Sequence, residues 1–166
     1  PYDFDNDGDM DVFVGGRSVV STYGINPTHQ FFENNGDGTF EDATEKVAYD
    51  VKNAGMITHA IWKDIDKDGK DDLITVSEWD TPKIYKNDGR RLIKQESSLD
   101  TLYGMWNTIE AADFDNDGDL DLILGNQGSN IMHKPSSKNP VKMWMNDFDN
   151  NGTIEQIVTK HENGKV

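Results

Sequence analysis

Short runs of apolar residues alternate along the chain with polar segments that are rich in Asp, Asn and Gly. Runs such as Val12-Phe13-Val14 and Leu122-Ile123-Leu124 are too short for a typical helix. Turn-forming residues bound them, which favours buried β-strands. No long helical periodicity is present. The pattern predicts strands over residues 56–62, 72–78, 83–85, 91–95, 108–112 and 141–145.

An Asp-rich segment recurs four times and reveals a repeat. Each copy reads Asp, apolar, Asp, any residue, Asp or Asn, Gly, two further residues and Asp or Glu, and an apolar run follows. We number these nine positions 1 to 9 and call the copies the first to fourth loops. They cover residues 3–11, 64–72, 113–121 and 147–155.

A weaker repeat lies between the Asp-rich loops. Asn34-Asn35-Gly36 and Asn87-Asp88-Gly89 each follow strand-like residues. Asn-Gly and Asp-Gly in this setting are hairpin signals, because the turn requires residues that tolerate positive φ. Residues 56–95 therefore predict one complete four-stranded unit, in which an Asp-rich loop joins the first two strands.

Four short strands per repeat are typical of a β-propeller blade. We expect blade units over about residues 1–50, 51–100, 101–140 and 141–166, with the first and last truncated. The predicted fold is all-β: a partial β-propeller, an arc of about three to four four-stranded antiparallel blades from a larger propeller. Because an arc leaves strand edges exposed, we also expect self-association through those edges.

The composition narrows the choice of partners. The 166 residues include 31 Asp and Glu against 16 Lys and Arg, which gives a formal net charge of −15. This charge argues against nucleic acid and anionic membranes and favours cations. No apolar run approaches the length of a membrane span, so we expect no membrane insertion. The chain starts at Pro1 without a signal-like segment, and we interpret it as part of a longer protein.

The residue types give no indication of catalysis. The chain has no Cys, which removes disulfides, thiolate chemistry and Cys-type zinc or iron–sulfur sites. No phosphate-binding glycine loop and no zinc motif is present. Metal-ligand spacing is absent among the histidines, which are His29, His59, His133 and His161. We therefore expect a protein that is not an enzyme.

Alternating acidic residues suit calcium, a hard cation that takes six to eight oxygen ligands. Positions 1, 3, 5 and 9 would supply side-chain oxygens, position 7 a backbone carbonyl, and Gly at position 6 the sharp turn. The first loop offers Asp3, Asp5, Asp7, Asp9 and Asp11. The second offers Asp64, Asp66, Asp68, Lys70 and Asp72. The third offers Asp113, Asp115, Asp117, Asp119 and Asp121. The fourth offers Asp147, Asp149, Asn151, Thr153 and Glu155.

Three other interpretations of these loops fit the sequence less well. The same segments without metal would be Asx-turns with solvated carboxylates, but four copies with one spacing argue against that reading. Magnesium seldom uses dedicated all-protein cages. An EF-hand needs a bidentate Glu at position 12 and flanking helices, whereas position 12 here is never a ligand. The residues at that position are Val14, Thr75, Leu124 and Val158.

These loops, continuing into Val-Phe-Val-Gly-Gly or Leu-Ile-Leu-Gly-Asn, resemble FG-GAP/VCBS repeats of integrin-α-like β-propellers. Residues 29–44, with Asn-Gly-Asp-Gly-Thr-Phe, are similar to repeats of cartilage-acidic-protein-like (ASPIC/UnbV) proteins and their large bacterial surface relatives. The resemblance implies a seven-bladed parent propeller with calcium in the loop between strands 1 and 2 of a blade. It also implies an extracellular or cell-surface location. Up to four Ca²⁺ ions would be bound, the fourth loop departing most from the pattern.

Three functional hypotheses follow. The first is a cell-adhesion or ligand-binding module with structural calcium, whose partner is a protein or a glycan. The second is a calcium-supported part of a polysaccharide-acting enzyme, for which the sequence offers no catalytic pair. The third is a calcium-braced scaffold within a larger chain.

Overall fold

The computed structural model describes residues 1–128 and 135–160 of the chain. His133 and His161 lie outside these residues. The structure is nearly all β. Its strands are Val12–Val14 (β1), Gln30–Asn34 (β2), Phe40–Asp42 (β3), Met56–Lys63 (β4), Asp72–Asp80 (β5), Lys83–Asn87 (β6), Leu92–Gln95 (β7), Gly104–Ala112 (β8), Asp121–Asn126 (β9), Lys142–Asn146 (β10) and Glu155–Thr159 (β11).

Helical structure is confined to two single turns in the described residues. The α-helix α1 covers Thr44–Val47, and a 3-10 turn covers Ser98–Thr101. Ser97 caps the 3-10 turn by accepting a hydrogen bond from the Leu99 N–H, while the Asp100 carboxylate accepts one from the Ser97 N–H. No helix among the described residues has the length and apolar character of a membrane-spanning segment.

One antiparallel unit of four strands occupies the centre of the chain, in the order β4-β5-β6-β7. Through β5 it continues into β8 and β9 as one six-stranded sheet. Its second strand is the most buried, because residues 72–78 are all covered. The register sets Leu73 opposite both Trp62 and Tyr85. These four strands are the complete unit that the sequence predicted, and each of them overlaps its predicted range.

The neighbouring units contain fewer strands. β1, β2 and β3 form a three-stranded sheet, preceded by an isolated bridge between Tyr2 and Asp11. β8 pairs with β9, and β10 pairs with β11 in a separate two-stranded sheet. β8 begins four residues before its predicted start at Thr108, since Gly104 and Met105 pair with the end of β5. The fold is an open partial β-propeller, as predicted.

Two apolar clusters join the first three units. The larger contains Phe4, Phe31, Val51, Leu73 and Tyr85, each at most 4% exposed, and so joins the first two units. The smaller contains Ile74, Val76 and Ile109 and joins the second unit to β8. Tyr2 stacks on Trp62 beside the larger cluster, with ring centroids 4.8 Å apart, and this contact also joins the first two units.

Candidate metal sites

The four Asp-rich loops share one backbone conformation. Position 6 is always Gly with φ between 87° and 99°. Position 4 is also left-handed, with φ values of 60°, 62°, 62° and 58° in the four loops. Asn tolerates this conformation better than other side chains do, which explains its presence at position 4 in three loops. The residues are Asn6, Lys67, Asn116 and Asn150.

The loops also share a set of hydrogen bonds. One carboxylate oxygen at position 1 accepts the N–H of the Gly at position 6, which closes the turn. These donors are Gly8, Gly69, Gly118 and Gly152, at 3.2, 2.9, 3.0 and 2.9 Å. The side-chain oxygen at position 5 accepts the N–H of position 7. These acceptors are Asp7, Asp68, Asp117 and Asn151, at 2.9, 2.9, 2.9 and 2.8 Å.

In each loop the structure brings three carboxylates together, those of positions 1, 3 and 9. One oxygen from each lies within 4.8 Å of the others. The groups are Asp3, Asp5 and Asp11; Asp64, Asp66 and Asp72; Asp113, Asp115 and Asp121; and Asp147, Asp149 and Glu155. The side chain at position 5 is not in these groups, and one of its oxygens accepts the N–H of position 7.

Position 7 was predicted to offer only its carbonyl oxygen, and its side chains vary. The Lys70 ammonium lies 3.6 Å from the Asp68 carboxylate. Asp119 forms an ion pair with Lys67 of the second loop at 2.5 Å, which links adjacent loops. Thr153 donates a hydrogen bond to Glu155 at 3.0 Å. The side chain of Asp9 lies beside Gly36 of the adjacent hairpin. Metal ligation by any of these residues stays a prediction.

One carboxylate oxygen of the first loop has no hydrogen-bond partner within the described parts of the chain, which indicates that the donor set fits a cation. Oδ1 of Asp3 is buried and has no hydrogen-bond partner among the described residues. The equivalent oxygens of Asp64, Asp113 and Asp147 accept an N–H at 3.1, 3.1 and 3.0 Å. A buried carboxylate oxygen without a partner is costly, and a cation would satisfy it. An all-oxygen, anionic donor set is the kind that calcium prefers.

The carboxylate at position 9 also connects its loop to the backbone. In all four loops one of its oxygens accepts the N–H of position 2, as Asp11 does from Phe4 at 2.9 Å. In the first two loops the other oxygen accepts an N–H from a third strand. The donors are Asn34 to Asp11 and Asn87 to Asp72, both at 2.9 Å. The sequence analysis missed this role of the two Asn, although both precede the hairpin Gly in the same way.

One carboxyl group in each of the first two loops has a raised pKa. Desolvation raises the pKa of the Asp5 carboxyl, and the negative charges of Asp7, Asp11 and Glu33 raise it further. Burial is the largest cause of the raised pKa of Asp72. Both shifts mark carboxylates whose ionised form lacks stabilisation, which a bound cation would provide.

The apolar residue at position 2 enters the core in the first two loops only. Phe4 is 4% exposed, and Ile65 packs against the smaller cluster. Phe114 and Phe148, in the third and fourth loops, are 50% and 46% exposed. These two loops have no third strand within the described residues to cover position 2.

Comparisons with known proteins agree with this geometry. A family model described as an FG-GAP-like repeat matches residues 3–75 and again residues 64–124. The two matches together span the first three loops, whereas the fourth loop lies beyond them. A search of curated proteins found no match to the chain.

Proposed function

Because the chain belongs to the FG-GAP-like repeat family, we propose that it is a calcium-binding, integrin-like propeller module for adhesion or ligand binding. Its partner would be a protein or a glycan at the cell surface or outside the cell. The three grouped carboxylates of each loop would hold Ca²⁺, with the loop oxygens at positions 5 and 7 completing the shell. Bound calcium would neutralise carboxylates that otherwise repel one another.

The observation that carries the calcium proposal is the buried, unpartnered Oδ1 of Asp3 within a group of three carboxylates. Recurrence of the same group in four loops supports it, as does the net charge of −15. The loops join adjacent strands, such as β4 and β5, so calcium there would stabilise the sheets. Binding to the folded state alone raises stability according to the free calcium concentration.

Thermal unfolding with EGTA, with calcium and with magnesium tests this proposal. We expect calcium to raise the melting temperature by several degrees and magnesium to raise it less. Asp5→Asn keeps an oxygen for hydrogen bonding but removes a charge, so it should reduce the calcium effect. Glu41→Gln removes an exposed charge on β3 and is the matched control. An unchanged melting temperature in calcium, together with no calorimetric binding signal, would contradict the proposal.

The ligand-binding part rests on the ends of the strands opposite to the loops. There Trp79 has a φ of 58° at an irregular point in β5, a strained conformation for a bulky residue. Its indole N–H donates to the Tyr23 hydroxyl at 2.9 Å, and that hydroxyl donates to Glu78 at 2.7 Å. Arg17 donates to the other carboxylate oxygen of the buried Glu78. Aromatic side chains held by a polar network suit recognition of sugars or peptides.

Arrays of glycans and of extracellular proteins test the ligand-binding part. We expect calcium-dependent capture of one ligand class, weakened in Trp79→Gly, because the left-handed backbone accepts Gly while the indole is lost. Val20→Gly, on the same connection as Tyr23, is the control. Release of shortened oligosaccharides from a captured glycan would favour the polysaccharide-acting enzyme instead.

A further inference from the structure

The first and second loops differ in the charge that the neighbouring strand brings to them. β2 pairs with β1 and β6 pairs with β5 in the same register, with Phe32 opposite Val12 and Tyr85 opposite Leu73. The next residue in each strand is therefore equivalent: Glu33 beside the first loop and Lys86 beside the second. Each directly precedes the Asn that donates to the carboxylate at position 9.

Lys86 reaches into the second loop. Its ammonium contacts the Asp66 carboxylate at position 3 and lies 3.1 Å from the Asp68 carboxylate at position 5. Lys70 approaches Asp68 from position 7, at 3.6 Å. The side chains of Lys86, Asp66 and Asp68 are 34%, 39% and 28% exposed, so the contacts are partly shielded from water. A positive charge thus already lies on two of the carboxylates that would hold calcium.

The first loop has the opposite arrangement. Glu33 adds a negative charge and forms an ion pair with Lys46 at 2.9 Å. No Lys, Arg or His nitrogen among residues 1–128 and 135–160 forms an ion pair with Asp3, Asp5 or Asp7. The buried oxygen of Asp3 also lacks a partner there.

We propose that Lys86 is a tethered cation that competes with calcium, so that the second loop binds calcium more weakly than the first and stays neutralised without it. The inference rests on the calcium binding proposed above. Two like charges on the same carboxylates repel each other, so the ammonium has to withdraw when calcium binds. The flexible four-carbon stem of Lys allows that withdrawal. The two loops would then fill at different calcium concentrations.

Calcium titration of a chain with only the second loop intact tests the inference. Asp5→Asn, Asp115→Asn and Asp149→Asn remove one charge from each other loop and keep the oxygen that accepts the N–H of position 5. In this background we expect Lys86→Gln to tighten calcium binding on the order of tenfold, and Lys86→Glu to tighten it further. Lys94→Gln is the matched control, because Lys94 pairs with Asp100 away from the loops.

Unfolding in EGTA gives an independent readout. Lys86→Gln should lower the melting temperature of the calcium-free chain, since Asp66 loses its cation and Asp68 keeps only the more distant Lys70. Lys94→Gln should lower it less. Lys86→Gln also covers the case in which Lys86→Glu does not fold. If the unmodified chain binds calcium but Lys86→Gln leaves the affinity within twofold, this inference is overturned alone. If the unmodified chain binds no calcium, the proposed function is overturned and this inference with it.

Discussion

The first two loops and the last two have the same backbone but differ in what covers them. Asp11 and Asp72, at position 9, are 3% and 1% exposed, whereas Asp121 is exposed. The first two loops lie beside a third strand, β2 or β6, while β9 and β11 each pair with a single strand in the described parts of the chain. Local sequence therefore determines the conformation of the loop, and the third strand determines its burial.

The third strand also changes what the acidic residue at position 9 does. Asp72 accepts N–H groups from Ile65 and Asn87, and the Asn87 side chain donates to the Asp71 carbonyl at 3.2 Å. Within residues 1–128 and 135–160, Asp121 keeps only the equivalent bond, accepted from the Phe114 N–H at 3.0 Å. The same residue type is thus a buried connection between strands in the second unit and an exposed loop residue in the third.

Replacing the acidic residue at position 9 should change the unfolding free energy more than any other substitution proposed for this chain, and by different amounts in the second and third loops. Asp72→Ala would leave the buried Asn87 N–H without an acceptor, and we expect it to cost about 3 kcal/mol of unfolding free energy. Asp121→Ala should cost less than about 1 kcal/mol, because water can replace the lost partner. Urea unfolding in EGTA measures both variants without a contribution from calcium. Equal losses would mean that the third strand does not set the difference.

A smaller effect concerns the histidine that the first unit buries. His29 is 1% exposed, and its Nδ1 accepts the Gly16 N–H at 3.0 Å. Burial lowers the pKa of His29, while Nε2 has no hydrogen-bond partner among the described residues. The neutral ring is therefore favoured in the folded state.

The stability associated with neutral His29 is fully present above about pH 6.5, its ordinary pKa, and is lost as the pH falls below that value. Calcium-free melting between pH 7.5 and about 5 should show a steeper decline for the unmodified chain than for His29→Gln. His59→Gln is a useful control, because His59 is only half-buried on β4. Parallel curves for the unmodified chain and His29→Gln would show that protonating this ring does not oppose folding.

Much of the fold could be predicted because the signals are local. The Asp-Gly and Asn-Gly segments mark turns by their backbone requirements, and the apolar runs between them mark strands. The joint between β5 and β8 could not be predicted in this way, since Glu78 and Met105 are paired by tertiary packing. The exposure of Phe114 likewise depends on which strands lie beside the third loop in the described residues, and not on the sequence of the loop itself.

The grouping of three carboxylates in each loop follows from the spacing, since positions 1 and 3 share one turn. The contact between Lys86 and Asp66 cannot be predicted from the spacing of the motif. These residues are 20 positions apart, and the register of β6 on β5 brings them together. Pairs of this kind are hidden from an analysis of the motif alone. They distinguish loops whose sequences look alike.

The shared strand β5 has a mechanical consequence. β5 pairs with β4 along most of its length, with β6 near its start and with β8 at its end. The second and third units therefore cannot tilt about the connecting residues 96–103 without breaking two strand pairs, or rungs, which are Glu78 with Met105 and Asp80 with Gly104. Tension across the two units would load these rungs in parallel with the covalent connection, so the joint acts as a brace and not as a hinge.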